Sequence, residues 1–247
     1  MRALALGMAL SFAVSWAATA QPDTNTRCAP IPASAFPSDT LKVKTHTDFA
    51  EDHFRKRIRE FRNAPLECGK IVMLGDSLTE LNDWAKTLPS DPNIRNRGIS
   101  GDTSDGVLTR LEEITSSRPR AVFLLIGTND IWTRNSPRTT VSNIRKIVNR
   151  IHSGSPDTII LVQTVFPLRW GEEPNRKVRA INSLLKKQSR TYGFILLDTH
   201  RVLVDSKGAL KDAYTDDGLH LNNAGNAVWS TLVSGALREY NLGTAKR

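Results

Sequence analysis

Four short apolar runs divide the chain into repeating segments. They span residues 71–74, 121–126, 158–162 and 194–197, and a weaker candidate covers residues 93–97. Runs that are apolar at nearly every position are typical of strands in a parallel sheet that is covered on both faces. The pattern therefore predicts five strands in one sheet.

Helical patterns separate these runs. Apolar residues recur at helical spacing over residues 46–62, 141–151 and 178–192, and a final helix is predicted to begin near Asn222 or Asn223, either of which can cap it. Strands that alternate with helices predict an α/β fold with a parallel sheet. In such sheets the functional site forms at the carboxyl ends of the strands.

Polar residues follow the predicted strands at the points where chemistry is expected. These segments are Gly75-Asp76-Ser77-Leu78, Ser100-Gly101-Asp102-Thr103, Gly127-Thr128-Asn129-Asp130 and Asp217-Gly218-Leu219-His220. The last of them lies between the final strand and the final helix. We expect all four segments to meet at one edge of the sheet.

The residue types in these segments match the needs of acyl transfer. A serine becomes a strong nucleophile when a base removes its proton, and His220 can serve as the base for Ser77. Asp217 can orient the imidazole and stabilise its protonated form. The backbone N–H groups of Ser77 and Gly101 and the side-chain amide of Asn129 can form an oxyanion hole.

This ordered set of motifs resembles the SGNH hydrolases, also called the GDSL esterase/lipase family. The resemblance runs from about Ile71 to the final helix. It implies a flavodoxin-like three-layer α/β/α sandwich with Ser77, His220 and Asp217 as the triad and with Gly101 and Asn129 as oxyanion donors. Family members act on acetylated sugars, lysophospholipids, short acyl esters and thioesters. The layout is more similar to the acetylesterase and platelet-activating-factor acetylhydrolase-like branch.

Several residues near the predicted site have more than one possible role. Asp76 either holds the turn or takes part in catalysis, and Asp216 competes with Asp217 as the acid, although the family spacing favours Asp217. Trp132 and Trp170 follow strands, so that they either flank a substrate or pack a loop.

The first residues have the pattern of an export signal. Arg2 precedes an apolar stretch, and Ala18-Thr19-Ala20 is typical of a cleavage site. We therefore expect a signal peptide at 1–20, an extended lead-in at 21–45 and a single hydrolase domain at 46–247, in a periplasmic or secreted protein. In an oxidising compartment Cys28 and Cys68 can form a disulfide; the alternative is two free thiols.

Charge and composition limit the classes of molecule that the protein is expected to bind. The formal net charge is +9 and the isoelectric point is near 9.8, but the basic residues are scattered and no nucleic-acid-binding motif is present. A basic exported protein can contact anionic envelope material, or the charge serves solubility alone. The spacing of His, Cys, Asp and Glu supports no set of metal ligands, and nucleotide- and flavin-binding loops are absent, so we expect no metal and no cofactor.

The sequence thus predicts a serine ester hydrolase that cleaves short, acetyl-type esters on a sugar or envelope glycan. A lysophospholipase or general short-chain esterase is the alternative enzyme, and a non-catalytic glycan-binding protein is the alternative from another class. The oligomeric state stays open.

Overall fold

A parallel five-stranded sheet forms the centre of the protein. The computed structural model describes residues 28–133 and 135–243. The strand order is β2-β1-β3-β4-β5, which is the flavodoxin-like order, and the predicted α/β fold is confirmed. The strands are β1 (Ile71–Gly75), β2 (Ile94–Gly98), β3 (Ala121–Leu125), β4 (Ile159–Gln163) and β5 (Ile195–Leu197).

Helices cover the sheet, and side chains cap several of them. The Asn222 side chain accepts hydrogen bonds from the N–H groups of Ala224 and Gly225, so Asn222 is the cap of the final helix and Asn223 its first residue. The helices of the described chain are α1 (Asp48–Asn63), α2 (Ser77–Glu80), α3 (Trp84–Thr87), α4 (Ser104–Thr109), α5 (Leu111–Ser116), α6 (Pro137–Gly154), α7 (Glu172–Gln188), α8 (Thr199–Leu203) and α9 (Asn223–Glu239).

Alternate residues of β1 enter two separate cores, as the pleat of a strand requires. Val72 and Leu74 pack with α4, α5, α6 and α7 on one face of the sheet. Ile71 and Met73 pack with α3, α8 and α9 on the other face, where Trp229 is fully buried. Both faces of the central strands are therefore covered, which explains why their sequences are apolar at every position.

Helix α1 and the segment before it form a third, smaller core beside β2. Phe54, Ile58 and Phe61 of α1 pack with Phe36 and Val43 of the predicted lead-in. The described part of the lead-in is therefore packed against the domain rather than merely preceding it.

The predicted signal peptide (1–20) and the first residues of the lead-in lie outside the described residues. Within the residues that are described, no helix is both long enough and apolar enough to span a bilayer.

A disulfide joins Cys28 to Cys68 and closes a loop with a sequence separation of 40 residues. It fixes the start of the described chain to the segment just before β1. Cross-links of this kind stabilise a protein mainly because they restrict the unfolded chain.

We expect the double variant Cys28→Ser, Cys68→Ser to lower the free energy of unfolding by about 4 kcal/mol, because the loop-closure entropy of the unfolded chain is restored. Denaturant unfolding of the two proteins measures this difference. An equal loss in the wild-type protein under reducing conditions is the internal control. An unchanged midpoint would contradict a stabilising role for the bond.

Candidate active site

The carboxyl ends of three neighbouring strands bring the predicted segments together. Gly75 at the end of β1 is in register with Gly98 of β2 and with Leu125 of β3. A Cβ atom at Gly75 would lie 2.2 Å from the Leu125 carbonyl oxygen, so only glycine fits at this position. The close approach places Ser77, two residues later, between the loops that carry Gly101 and Asn129.

Ser77, His220 and Asp217 form a continuous hydrogen-bonded chain. The Ser77 Oγ lies 3.0 Å from His220 Nε2, and His220 Nδ1 lies 2.7 Å from Asp217 Oδ2. Ser77 is the first residue of α2, and the Asp76 side chain caps this helix by accepting from the Leu78 N–H at 3.0 Å. Such a chain allows the imidazole to remove the serine proton while the carboxylate holds the ring.

Asp217 is held ionised by the hydrogen bonds it accepts. Partial burial raises its pKa, but bonds from the His220 side chain and from the backbone N–H groups of Leu219 and His220 outweigh this effect and set the pKa at about 2. Both backbone bonds to Oδ1 are 2.8 Å long. Asp217 is therefore a fixed negative charge beside His220. Asp216 instead accepts a bond from the Asn222 side chain at 3.3 Å and is not part of the chain.

Three N–H donors converge on this edge of the sheet. Neither the Ser77 N–H nor the Gly101 N–H has a backbone acceptor within residues 28–133 and 135–243. Asn129 uses one amide hydrogen on the Asp102 carbonyl at 2.8 Å, which leaves its second hydrogen for a ligand. Gly101 and Asn129 line the same groove, of about 850 Å³. The arrangement can hold a negatively charged oxygen.

Two buried carboxylates, those of Asp130 and Asp102, hold these loops. Asp130 accepts from the Ser104 backbone N–H at 2.9 Å and from the Ser104 hydroxyl. Asp102 accepts from Arg110 Nε at 2.9 Å and contacts His46 Nε2 at 3.1 Å.

The sequence analysis identified neither Arg110 nor His46 as part of the site. His46 is buried, and Arg110 also donates to the carbonyl oxygens of Arg97 and Gly75. The only sequence signal for Arg110 is a charge that directly precedes the buried Leu111, and this signal is weak.

Trp132 and Trp170 lie beside the triad and remain half-exposed, at 51% and 47%. Their ring centroids are 5.6 Å apart. The Trp170 indole N–H donates to the Asp217 carbonyl at 3.0 Å, and Trp132 ends the 3-10 helix Asn129–Trp132 that begins at the amide donor. The pair therefore forms an exposed aromatic wall between the amide-donor loop and the triad loop.

No group of three or more His, Cys, Asp and Glu side chains in the described part of the chain is arranged to hold a metal ion. Asp198, which directly follows β5, is paired with Lys186 at 2.8 Å.

Comparison with known proteins identifies the family. Residues 73–228 match the GDSL-like Lipase/Acylhydrolase family. The chain belongs to this family. The resemblance inferred from the motifs is thereby confirmed, and the protein is a GDSL-type ester hydrolase.

Individual relatives agree with this assignment. The human platelet-activating factor acetylhydrolase IB subunit alpha2 is 32% identical over 167 residues, which cover 64% of this chain and 71% of the human protein. Thioesterase 1/protease 1/lysophospholipase L1 of Escherichia coli K12 is 29% identical over 133 residues, or 48% of this chain and 62% of that protein. A GDSL-like lipase from Bacteroides thetaiotaomicron superimposes with a TM-score of 0.66 at 22% identity and covers 78% of this chain and 99% of that one, which shows a shared fold.

Asp76 of this GDSL-family enzyme lies in an unusual environment. Its side chain is fully buried, and this burial raises its pKa from 3.8 to about 8; the hydrogen bond from the Leu78 N–H opposes the shift, while the carboxyl groups of Asp102 and Asp130 add to it. The folded protein thus keeps a proton on Asp76 at pH values above about 4, where the unfolded chain has released it. The stability from this group is complete below pH 3.8 and is lost as the pH rises to about 8.

We expect Asp76→Asn to flatten this dependence, because the amide keeps an oxygen for the Leu78 N–H and needs no proton. Between pH 4 and pH 8 the wild-type free energy of unfolding should fall more steeply than that of the variant, by about 1.4 kcal/mol per pH unit. Denaturant unfolding across this range tests the difference. Asp83→Asn is the matched control, since Asp83 caps α3 in the same way but is exposed. Parallel curves for wild type and Asp76→Asn would contradict the buried proton.

Proposed function

We propose that the protein hydrolyses short acyl esters through a Ser77-His220-Asp217 triad. The observation that supports this most directly is the hydrogen-bonded chain from Ser77 Oγ through both ring nitrogens of His220 to Asp217, with bonds of 3.0 Å and 2.7 Å. In the first step Ser77 Oγ attacks the ester carbonyl carbon and His220 Nε2 takes its proton. The imidazolium that forms is stabilised by Asp217.

The tetrahedral oxyanion is held by the Ser77 and Gly101 N–H groups and by the free amide hydrogen of Asn129. The intermediate collapses, the alcohol leaves with the proton from His220 Nε2, and an acyl ester remains on Ser77. A water molecule then attacks this ester while His220 accepts its proton. Collapse returns the proton to Ser77 Oγ and releases the carboxylic acid.

We expect Ser77→Ala to abolish hydrolysis of p-nitrophenyl acetate, and Asn129→Ala to lower kcat by about 10²–10³-fold with little change in KM, because the amide acts mainly on the transition state. Steady-state kinetics measure both effects, and thermal unfolding checks that each variant is folded. Full turnover by folded Ser77→Ala protein would refute the assignment of the nucleophile.

The proposed substrate is an acetyl-type ester on a sugar or envelope glycan. The groove beside the oxyanion donors supports it, since the side chains of Thr45, Thr103 and Asn135 supply hydroxyl and amide groups at its wall while Trp132 supplies an aromatic face. Flat aromatic surfaces beside hydrogen-bonding groups suit sugar rings. Among the relatives by fold, an esterase from Geobacillus is described as acting on acetyl-xylooligosaccharides.

A lysophospholipase or general short-chain esterase is the second candidate. The observation that favours it is a set of exposed apolar side chains around the site, namely Phe49, Leu81, Trp132 and Trp170. Exposed apolar side chains close to one another can mark a surface that contacts lipid.

The two candidates predict opposite behaviour in a series of p-nitrophenyl esters of increasing acyl length. We expect kcat/KM to be highest for acetate, and Trp132→Ala to raise KM for an acetylated oligosaccharide while kcat changes little, since the wall contacts ground state and transition state alike. Highest activity with long acyl chains would replace the glycan proposal with the lipid one.

We also propose that the protein is exported. The support is the Cys28–Cys68 disulfide together with the signal-like pattern of residues 1–20, since disulfides persist mainly in oxidising compartments.

A further inference from the structure

A second groove, of about 700 Å³, runs between α3 and α9. It begins beside the triad, because Leu81 directly follows the helix that Ser77 starts and Asn223 lies three residues after His220. From there it follows α9 as far as Arg238. We call it the α3–α9 groove.

Eight of the fifteen side chains that line it carry a hydroxyl or an amide group. Helix α9 presents Asn226, Ser230 and Ser234, which recur at intervals of four residues and so lie on one face. The opposite wall carries Asn82 and Thr87. Among the described residues no aromatic side chain lines this groove, and its apolar side chains are those of Leu81, Leu88, Pro89 and Ala227. Such a surface suits a ligand with many hydroxyl groups better than an acyl chain.

Two buried polar atoms in the walls have no partner. Asn82 is 4% exposed and Ser230 is 3% exposed, and neither Asn82 Nδ2 nor Ser230 Oγ makes a hydrogen bond within the described chain. The Thr87 hydroxyl lies 3.4 Å from Asn82 Oδ1, but its closer acceptor is the Asp83 carbonyl at 2.9 Å. Buried polar groups are normally paired, so an unpaired donor in each wall indicates a place for ligand oxygens.

The charges at the groove do not select an anion. Asp83 caps α3 with its carboxylate, and the Arg238 guanidinium donates to Ser234 Oγ at 2.8 Å. Because Lys86 also lines the groove, its rim carries both positively and negatively charged side chains. Charge alone therefore does not determine the ligand, and the hydroxyl and amide side chains of the walls are groups that bind a neutral one.

The proposed mechanism determines which half of the ester lies here. The leaving alcohol takes its proton from His220 Nε2, so the alcohol half must be on the His220 side of the reacting carbon. The α3–α9 groove opens at that side, beside Asn223. We propose that it binds the sugar units that adjoin the esterified sugar of a neutral oligosaccharide, an inference that rests on the proposed glycan esterase function.

Filling the groove tests this. Ala227 is exposed on its α9 wall, and Ala227→Trp places a large ring there. In wild type we expect kcat/KM for acetylated neutral oligosaccharides, such as acetylated xylooligosaccharides, to rise with chain length through a lower KM. In Ala227→Trp, kcat/KM for the longest substrate relative to that for p-nitrophenyl acetate should fall about tenfold, equivalent to about 1.4 kcal/mol. The matched control is Asn149→Trp, an exposed polar position on α6 in the other layer, which should leave this ratio unchanged.

Direct binding supplies the second measurement. In the Ser77→Ala background, which cannot turn over substrate, calorimetric titration with unesterified xylooligosaccharide should show binding that Ser230→Ala weakens. Because the Ser230 hydroxyl has no protein partner, Ser230→Ala should not lower the free energy of unfolding. This separates a ligand contact from a structural one.

The outcomes distinguish the two proposals. If acetylated oligosaccharides are hydrolysed with no dependence on chain length or on Ala227→Trp, the groove proposal is wrong and the glycan esterase function stands. If p-nitrophenyl acetate is hydrolysed but no acetylated glycan is, the proposed substrate class fails and the groove proposal fails with it. A loss of binding in Ser230→Ala that is matched by a loss of folding stability also counts against the groove.

Discussion

One buried guanidinium holds the catalytic edge of the sheet together. Arg110 donates to the carbonyl oxygens of Gly75 and Arg97 and to the Asp102 carboxylate, with bonds of 2.9–3.0 Å. Gly75 precedes the turn that carries Ser77. Asp102 adjoins Gly101, and its backbone carbonyl accepts a hydrogen bond from the Asn129 side-chain amide. The proposed nucleophile and the two other proposed oxyanion donors are therefore positioned, directly or through one intermediate, by a single charged side chain. Burying that charge is tolerable because Asp102 and two carbonyls satisfy it.

The same edge explains which features the sequence could predict. β1 and β3 are buried on both faces, so their apolar runs indicated them directly. β2 is an edge strand in which Arg95, Asn96 and Arg97 replace apolar residues, and its pattern was weak for that reason. Arg97 is nevertheless buried, because it pairs with Glu113 at 2.8 Å. A partner 16 residues away cannot be read from local periodicity.

The short helices were harder to predict for a related reason. α2, α3, α4 and α5 have four to six residues each, and helices of that length depend on caps and tertiary packing rather than on intrinsic propensity. The residues of the proposed site belong to family motifs that occur in a fixed order, whereas the residues that hold them in place belong to no such motif. His46 reaches Asp102 across 56 residues of sequence, so only the folded chain reveals the contact.

The solvent exposure of the triad side chains helps to distinguish between the candidate substrates. Asp217 is 52% exposed at its side chain and His220 is 35% exposed. Bonds from backbone N–H groups, rather than burial, fix the Asp217 carboxylate, so its charge does not depend on a closed pocket. A site for long acyl chains would need an enclosed apolar cavity, because the transfer of each methylene from water supplies the binding energy. About half of the side chains that line the two open grooves beside this triad instead carry hydroxyl or amide groups, and aromatic rings lie at one wall. An open acid–base pair with polar surfaces on either side is better suited to a bulky hydrophilic alcohol and a small acyl group.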